Sequence, residues 1–336
     1  MSHGVPNTQG QHGALAYATT GVASRLGRCA PTLNAVVLGG LCLASPLRSF
    51  AQEHIALPQG DLGQSNFLDG TGGPGLLTHA AASLDDAQRF TGPTGQTIQG
   101  DNSLVAFVVA AHVAYLVPVN VLGGYVGLEL IVPVVPYLRV LSRAGAATTS
   151  GVADLTFGPL VFQLPDLTLL GRPFSSRFSV DITAPTGRYS SAALVNVSTH
   201  VWSVDPYYAF TWLLTDKLDM SVRLHYGWNS TNSDPGAAYE AATVQPGQAF
   251  HMNAGASCQV VPLLRAGIAG YFLQQTTDAH VNGYAVADSR ERVAALGPGL
   301  MAMVAGAQIL ATAYWEFAVE NRPAGSLFLL SVLKPW

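Results

Sequence analysis

Regular alternation between apolar and polar side chains constrains the fold of this chain more than any other feature. From 220 to 229 every second residue is apolar, and the residues between them are polar, charged or glycine. The same alternation runs through 178–183, 200–214 and 308–320, and in the last of these it places Val319 in the apolar row. Because successive side chains of a β-strand point to opposite faces, each segment predicts a strand with one apolar and one polar face.

Turn-forming clusters separate such segments along most of the chain. Asn, Asp, Gly and Pro gather at 120–124, 232–236 and 321–325, between long apolar segments. If these segments form a bacterial membrane barrel, their strands should be even in number, so we expect a twelfth strand within 74–91 beside eleven others. The predicted eleven lie near 104–117, 124–140, 151–164, 173–184, 199–214, 217–230, 247–260, 263–277, 289–304, 306–320 and 325–336.

Two architectures use strands of this kind, a soluble sandwich and a membrane barrel. Charged residues make up 11% of the chain and hydrophobic residues 49%, which leaves little material for a soluble surface. Every backbone group must be paired in lipid, so membrane strands must close into a ring. We therefore predict an all-β, transmembrane, antiparallel up-and-down β-barrel of twelve strands. Aromatic residues at segment ends fit its interfacial girdles: Tyr125, Trp202, Trp212, Trp228, Tyr271, Trp315 and Trp336.

The segment 103–141 also admits a helical interpretation. Its charged residues are Glu129 and Arg139, so it could form two transmembrane helices. Three prolines and many Val, Leu and Tyr residues favour strands instead. On a strand Glu129 lies on the opposite face from Leu128 and Leu130, whereas on a transmembrane helix it would lie in the middle of the membrane. We therefore expect strands here.

The N-terminus is typical of a bacterial signal peptide. Arg25 and Arg28 precede an apolar stretch that is too short to span a bilayer. Ser49 and Ala51 supply the small residues that a signal peptidase reads, so we expect 1–51 to be removed after Ala51.

The rest of the chain divides into two parts. Residues 52–102 are polar and lack a sustained period, and they predict an N-terminal lead-in with a possible first strand or a plug in the lumen. Residues 103–336 form the predicted barrel. This organisation predicts a location in the bacterial outer membrane, with outer-membrane lipids as partners.

The last segment has the pattern of a terminal barrel strand. Phe328, Leu330 and Val332 alternate with other residues, and the chain ends on Trp336. Outer-membrane assembly machinery recognises such strands, so we expect it to be a partner of this chain. Lys334 departs from the pattern, which usually has an apolar residue at that place.

A series of short motifs runs through the predicted barrel: Leu122-Gly123-Gly124-Tyr125, Ala153-Asp154-Leu155-Thr156, Ala184-Pro185-Thr186-Gly187-Arg188-Tyr189, Trp202-Ser203-Val204-Asp205-Pro206, Gly247-Gln248-Ala249-Phe250-His251, Gly270-Tyr271-Phe272-Leu273-Gln274-Gln275-Thr276-Thr277-Asp278, Leu296-Gly297-Pro298 and Glu316-Phe317-Ala318-Val319-Glu320-Asn321-Arg322-Pro323. In these motifs and their order the chain resembles the outer-membrane β-barrel family of the meta-pathway of phenol degradation, whose members are often labelled transporters. The resemblance implies a barrel that passes hydrophobic or aromatic compounds.

The chain departs from the family pattern at a few positions. Ala249 replaces a Glu, and Asn253 stands where an acid is expected. Both changes remove negative charge, so the resemblance does not carry the family's charge selectivity to this chain. The terminal Phe-Pro-Phe has become Lys334-Pro335-Trp336.

The polar faces of the predicted strands supply candidate pore-lining residues. Acids and bases that face a pore together can set an electric field across its constriction, or they can pair simply to satisfy buried charge. The candidates are Glu129, Asp154, Asp181, Asp205, Tyr207, Arg223, His225, His251, Arg292, Tyr314, Glu316 and Glu320.

Catalysis, metals and nucleic acid find little support. Ser221, His225 and Asp205 could form a hydrolase triad, as could His251 with Ser257, but no Gly-x-Ser-x-Gly motif aims a serine. The histidines lie on separate segments without ligand spacing, so we expect no metal site and no cofactor. A net charge of −4 gives no basic field for nucleic acid.

Three functions are compatible with these features. The first is a channel for passive uptake of small hydrophobic or aromatic compounds, which makes those solutes its partners. The second is a plugged structural or surface barrel without transport. The third is an outer-membrane hydrolase, although we do not expect an enzyme.

Overall fold

The structure, a computed structural model, describes residues 55–336 apart from Gln59 and Asn66, and it leaves out the side chain of Ala238. The predicted signal peptide, 1–51, lies outside the described residues. The described strands are β1 (Gly75–Phe90), β2 (Ser103–Val121), β3 (Gly124–Ser142), β4 (Gly145–Val152), β5 (Leu155–Gln163), β6 (Leu167–Leu169), β7 (Arg172–Ala184), β8 (Ser203–Leu213), β9 (Leu218–Asn229), β10 (Val244–Gln245), β11 (Ala249–Val261), β12 (Leu264–Gln275), β13 (His280–Val281), β14 (Tyr284–Ala285), β15 (Arg292–Val304), β16 (Ala307–Glu320) and β17 (Pro323–Pro335).

The long strands form one closed antiparallel barrel of twelve strands, as predicted. β4 and β5 together take one place in the ring, because both pair with β3. β1 is the expected strand within 74–91, and its pairing with β17 joins the first strand to the last. No edge is left open to lipid, so the backbone groups of the described strands find their partners within the sheet.

The two faces of the strands differ as the alternation predicts. On β9 the inward side chains of Ser221, His225 and Asn229 are buried, whereas Tyr226 and Trp228 are each 43% exposed on the outer face. A barrel in lipid requires this arrangement, with apolar rows outside and polar rows inside.

A bulge near the end of β16 reverses its alternation. Ala318 has a φ of 51°, and the register between β15 and β16 shifts by one residue between Arg292 and Ala294. Val319 consequently points inward and is buried in the apolar core, so its predicted place in the outer row is wrong. Periodicity could not reveal this bulge, because the residues on either side still alternate.

The helical interpretation of 103–141 is wrong, since β2 and β3 cover this segment and pair along most of their length. The described part of the chain contains no helix with the length and apolar character needed to cross a membrane. Its helical structure is a single 3-10 turn, Ala237–Tyr239.

The two ends of the barrel differ in their connections. Short turns such as 122–123, 262–263 and 305–306 lie at one end, whereas longer connections such as 185–202, 230–248 and 276–291 lie at the other. β10, β13 and β14 form a small separate sheet within these longer connections.

The described residues of 55–74, the luminal segment, run through the barrel interior. Ile55 packs with Val244 and Ala279 at the end with long connections. Phe67 packs among inward side chains of the wall, and Gly70 donates its N–H to Thr211 Oγ1 at 2.8 Å. A Cβ at Gly70 would lie 2.3 Å from a backbone nitrogen of β8, so the close approach requires glycine. The segment then reaches β1 at the end with short turns.

A side chain at Gly297 should destabilise the barrel. A Cβ there would lie 1.6 Å from the carbonyl oxygen of Ala313 on the neighbouring strand. Since a strand held on both sides cannot move away freely, we expect Gly297→Ala to lower the free energy of unfolding by about 1–3 kcal/mol. Urea unfolding of the refolded protein, followed by tryptophan fluorescence, measures this change.

Gly227→Ala is the matched control, because a Cβ on β9 at that place makes only ordinary contacts of 3.7 Å or more. Equal midpoints for the two variants would contradict the close packing at Gly297.

Candidate functional site

Charged and polar side chains of the barrel wall and of the luminal segment gather in one group in the lumen. We call it the luminal charge cluster, and its members come from β2, β3, β7, β8, β9, β11 and the segment itself. They are Asp61, Asp69, His112, Glu129, Arg177, Asp181, Asp205, Tyr207, Arg223, His225 and His251.

Two arginines of the wall hold Asp69. Arg223 donates from Nε to Asp69 Oδ2 at 2.9 Å and from Nη2 to Asp69 Oδ1. Arg177 donates from Nη2 to the backbone oxygen of Asp69 at 3.0 Å. Burial raises the pKa of Asp69, but the charges of the two guanidinium groups outweigh it, so that the pKa lies below its ordinary value. Asp69 is therefore the ionised anchor of the luminal segment.

Glu129 is the centre of a second set of contacts on the wall. Its Oε1 accepts hydrogen bonds from Ser179 Oγ at 2.9 Å and Tyr207 Oη at 3.3 Å, and its Oε2 lies 2.8 Å from His112 Nε2. The Tyr207 ring also contacts Arg223, whose Cζ lies 4.5 Å from the ring centroid. These contacts join five strands, β2, β3, β7, β8 and β9, on the inner face of the wall.

Asp205 bridges two histidines on adjacent strands. His225 and His251 face each other in the register between β9 and β11, and their rings stack with centroids 4.1 Å apart. Asp205 Oδ2 lies 3.0 Å from His225 Nδ1 and 3.1 Å from His251 Nε2. The carboxylate fixes the orientation of both rings.

Asp61 lies on the other side of these rings. Its Oδ1 is 3.3 Å from His225 Nε2 and its Oδ2 is 3.3 Å from Arg223 Nη1. Burial raises the pKa of Asp61, and the charges of His225, Arg223 and His251 lower it further than burial raises it. Asn253 holds the same turn, since its Nδ2 donates to the Asp61 backbone oxygen at 3.0 Å and its Oδ1 accepts from Gly63 N at 2.7 Å.

The remaining predicted pore-lining residues lie at several places. Asp181 accepts a hydrogen bond from Ser179 and so adjoins Glu129. Tyr314 donates to the backbone oxygen of Gly63, and Glu316 accepts from Tyr271.

Three others lie outside the luminal charge cluster. Asp154 accepts from Ser198 Oγ and Gly187 N in a connection between strands. Arg292 pairs with Glu320, on the opposite face of β15 from buried Val293. As pore-lining residues all twelve stay a prediction.

The serine–histidine pairs considered for a hydrolase are not assembled. Ser221 Oγ bonds Thr211 and Asp219, and Ser257 Oγ bonds Asp219 and Arg265. Neither serine contacts His225 or His251 within the described residues.

A shallow apolar cleft lies on the barrel wall at Pro206. Pairing between β8 and β9 stops at Asp205 and Pro206 and resumes beyond them in the same register. Proline has no backbone N–H to donate, so the sheet is weakened there. A cleft of about 260 Å³ lies at this gap, with both outer and inner side chains in its lining: Phe178, Pro206, Tyr207, Tyr208, Leu224, His225, Tyr226 and Phe250.

Sequence reasoning missed several members of the cluster. Arg177 lies one place before the alternating segment 178–183, on the face of Ser179, and a longer window would have included it. Asp61 and Asp69 lie in a stretch without period, and nothing in the sequence pairs them with β9.

The chain was compared with curated proteins, with solved structures and with protein families. No curated protein matches the chain. An outer membrane channel from Pseudomonas putida F1 superposes with a TM-score of 0.67 at 19% identity, over 79% of this chain and 97% of that chain. The transport unit of the Escherichia coli autotransporter AIDA-I gives 0.46 at 9% identity, over 78% and 90%. The Pseudomonas putida toluene transporter TodX gives 0.41 at 9%, over 79% and 89%.

The first likeness shows the fold, and the TM-scores of the other two are too low to carry an argument. The closed barrel lies in the bacterial outer membrane, surrounded by its lipids. A family description matches residues 87–332, which is well over half of the chain. The chain therefore belongs to the outer-membrane β-barrel family described as "Putative MetA-pathway of phenol degradation".

Proposed function

We propose that this barrel is an outer-membrane channel for the passive uptake of small hydrophobic or aromatic compounds. The cleft at Pro206 carries the proposal, because it combines a break in the wall with a lining of aromatic side chains. Aromatic and aliphatic side chains around a concave site bind apolar solutes by excluding water. The family description refers to phenol degradation, and the Pseudomonas putida F1 neighbour is described as an outer membrane channel. The first supports an aromatic solute, and the second supports a channel.

The lumen itself is a poor axial route for such solutes. The luminal segment and the charge cluster fill it with ion pairs, and an apolar molecule gains nothing from contact with desolvated charge. A solute that enters the cleft instead meets Leu224 and Phe250 beside the bilayer. We therefore place the passage between lumen and lipid, through the wall at the cleft.

Narrowing the cleft should slow uptake. Leu224→Trp places a larger side chain in the cleft. We therefore expect a radiolabelled aromatic compound to enter intact cells several-fold more slowly than with the unaltered protein. The cells must lack the chromosomal copy of the gene, so that only the variant protein contributes to uptake. Lipopolysaccharide in their outer membrane slows direct diffusion of the solute, which keeps the background rate low.

Leu300→Trp is the matched control, because Leu300 is 48% exposed on the outer face of β15, away from the cleft. Equal uptake by both variants would exclude the cleft as the route. Uptake no faster than in cells without the protein would exclude the channel altogether.

A plugged structural barrel is the second candidate, and the luminal segment favours it. Asp69→Ala tests the plug, because it leaves Arg177 and Arg223 without their carboxylate in the lumen. Removing one partner of a buried pair costs about 3–5 kcal/mol, so we expect the segment to detach and the single-channel conductance in planar bilayers to rise.

Asp216→Ala removes an exposed carboxylate that pairs with Arg172 outside the lumen, and its conductance should equal that of the unaltered protein. An unchanged conductance for Asp69→Ala would show that this anchor does not hold the plug.

A further inference from the structure

Each histidine of the luminal charge cluster has one ring nitrogen that does not contact Asp205. His225 and His251 are 3% and 5% exposed, and each gives one ring nitrogen to Asp205. The other nitrogens, His225 Nε2 and His251 Nδ1, are buried without a hydrogen-bond partner. Buried polar atoms are nearly always paired, and these two nitrogens instead share one carboxylate oxygen, Asp61 Oδ1, at ion-pair distances.

These two nitrogens, His225 Nε2 and His251 Nδ1, face the same carboxylate oxygen. Asp61 Oδ1 lies 3.3 Å from His225 Nε2 and 3.7 Å from His251 Nδ1. One ligand atom from each of the three residues lies within 4.8 Å of the other two. Ligand atoms around a tetrahedral zinc ion with bonds of about 2.0–2.1 Å lie roughly 3.3 Å apart, which is close to the two distances from Asp61.

Asp205 supplies the outer partner that such sites use. A ligating histidine usually donates its second N–H to a carboxylate, which fixes the tautomer and leaves the lone pair on the ligating nitrogen. When Asp205 accepts from both rings, the lone pairs of His225 and His251 point toward Asp61.

The charge balance of the cluster also favours a cation. The cluster holds the carboxylates of Asp61, Asp69 and Asp205 together with two guanidinium groups, those of Arg177 and Arg223. Glu129 and Asp181 add further acid nearby. A bound divalent ion offsets this excess in a place where desolvated charge is costly.

We propose that His225 Nε2, His251 Nδ1 and Asp61 Oδ1 bind one divalent transition-metal ion, with Zn²⁺ as the representative, between the barrel wall and the luminal segment. Two imidazoles and one carboxylate form a ligand set for such ions and leave a coordination position open. Ca²⁺ and Mg²⁺ prefer oxygen ligands and fit this set poorly. Because Asp61 belongs to the luminal segment, the ion ties that segment to β9 and β11.

The test measures Zn²⁺ binding by calorimetry. The protein is prepared in detergent without a histidine tag, stripped with a chelator, and checked for folding by its heat-dependent mobility in gels. We expect one Zn²⁺ per chain, no competition by Ca²⁺ or Mg²⁺, and a Co²⁺ absorption spectrum with imidazole ligation. Asp205→Asn should weaken binding by about 10- to 100-fold, and His251→Ala by more.

Two further variants complete the design. Asp61→Asn leaves the wall intact, so it tests the site even if the histidine variants do not fold. His280→Ala removes a histidine outside the barrel strands and should bind Zn²⁺ as the unaltered protein does. No binding by the unaltered protein, or binding by the His251 and Asp61 variants equal to that of the unaltered protein, would overturn the proposal.

Discussion

Hydrogen bonding of the backbone in lipid is the constraint on which the rest of this structure depends. No water competes for the N–H and C=O groups of a spanning strand, so the strands must pair with each other around a complete ring. The ring then decides where side chains go, because each strand shows alternate residues to lipid and to the lumen. Pro206 is informative for this reason, since it has no N–H to offer and the pairing of β8 with β9 is interrupted at that place.

A polar interior creates a second requirement. Inward acids and bases lose water when the luminal segment occupies the barrel, and each must then find a partner. Arg223 meets this need for two carboxylates of the segment, Asp61 and Asp69. Asn253 is suited to its place because an amide both donates and accepts, whereas an acid there could only accept when ionised. The departure from the family pattern at this residue thus agrees with a held segment.

Much of the fold could be predicted from the sequence because period-two alternation reports one property, the face of each residue. Together with the turn clusters it identified eleven strands, and it identified the inward row of β9, including His225. The twelfth strand was expected because bacterial barrels have even strand numbers. The alternation failed at Val319, where one bulged residue reverses the faces without breaking the pattern. The candidate site was harder to predict, since Asp61 lies more than 150 residues from Arg223 and His225. The expectation of no metal site rested on spacing along the chain, which ignores that strand pairing places His251 beside His225.

The luminal segment also has a consequence for the order of folding. Its partners include Gln163 on β5, Thr211 on β8, Asn253 on β11 and Tyr314 on β16, so its binding surface exists only when strands from most of the ring are assembled. A segment that precedes β1 in the sequence therefore has all of these partners only after β16 has been added. We expect the barrel to assemble around water, which the segment displaces when it binds.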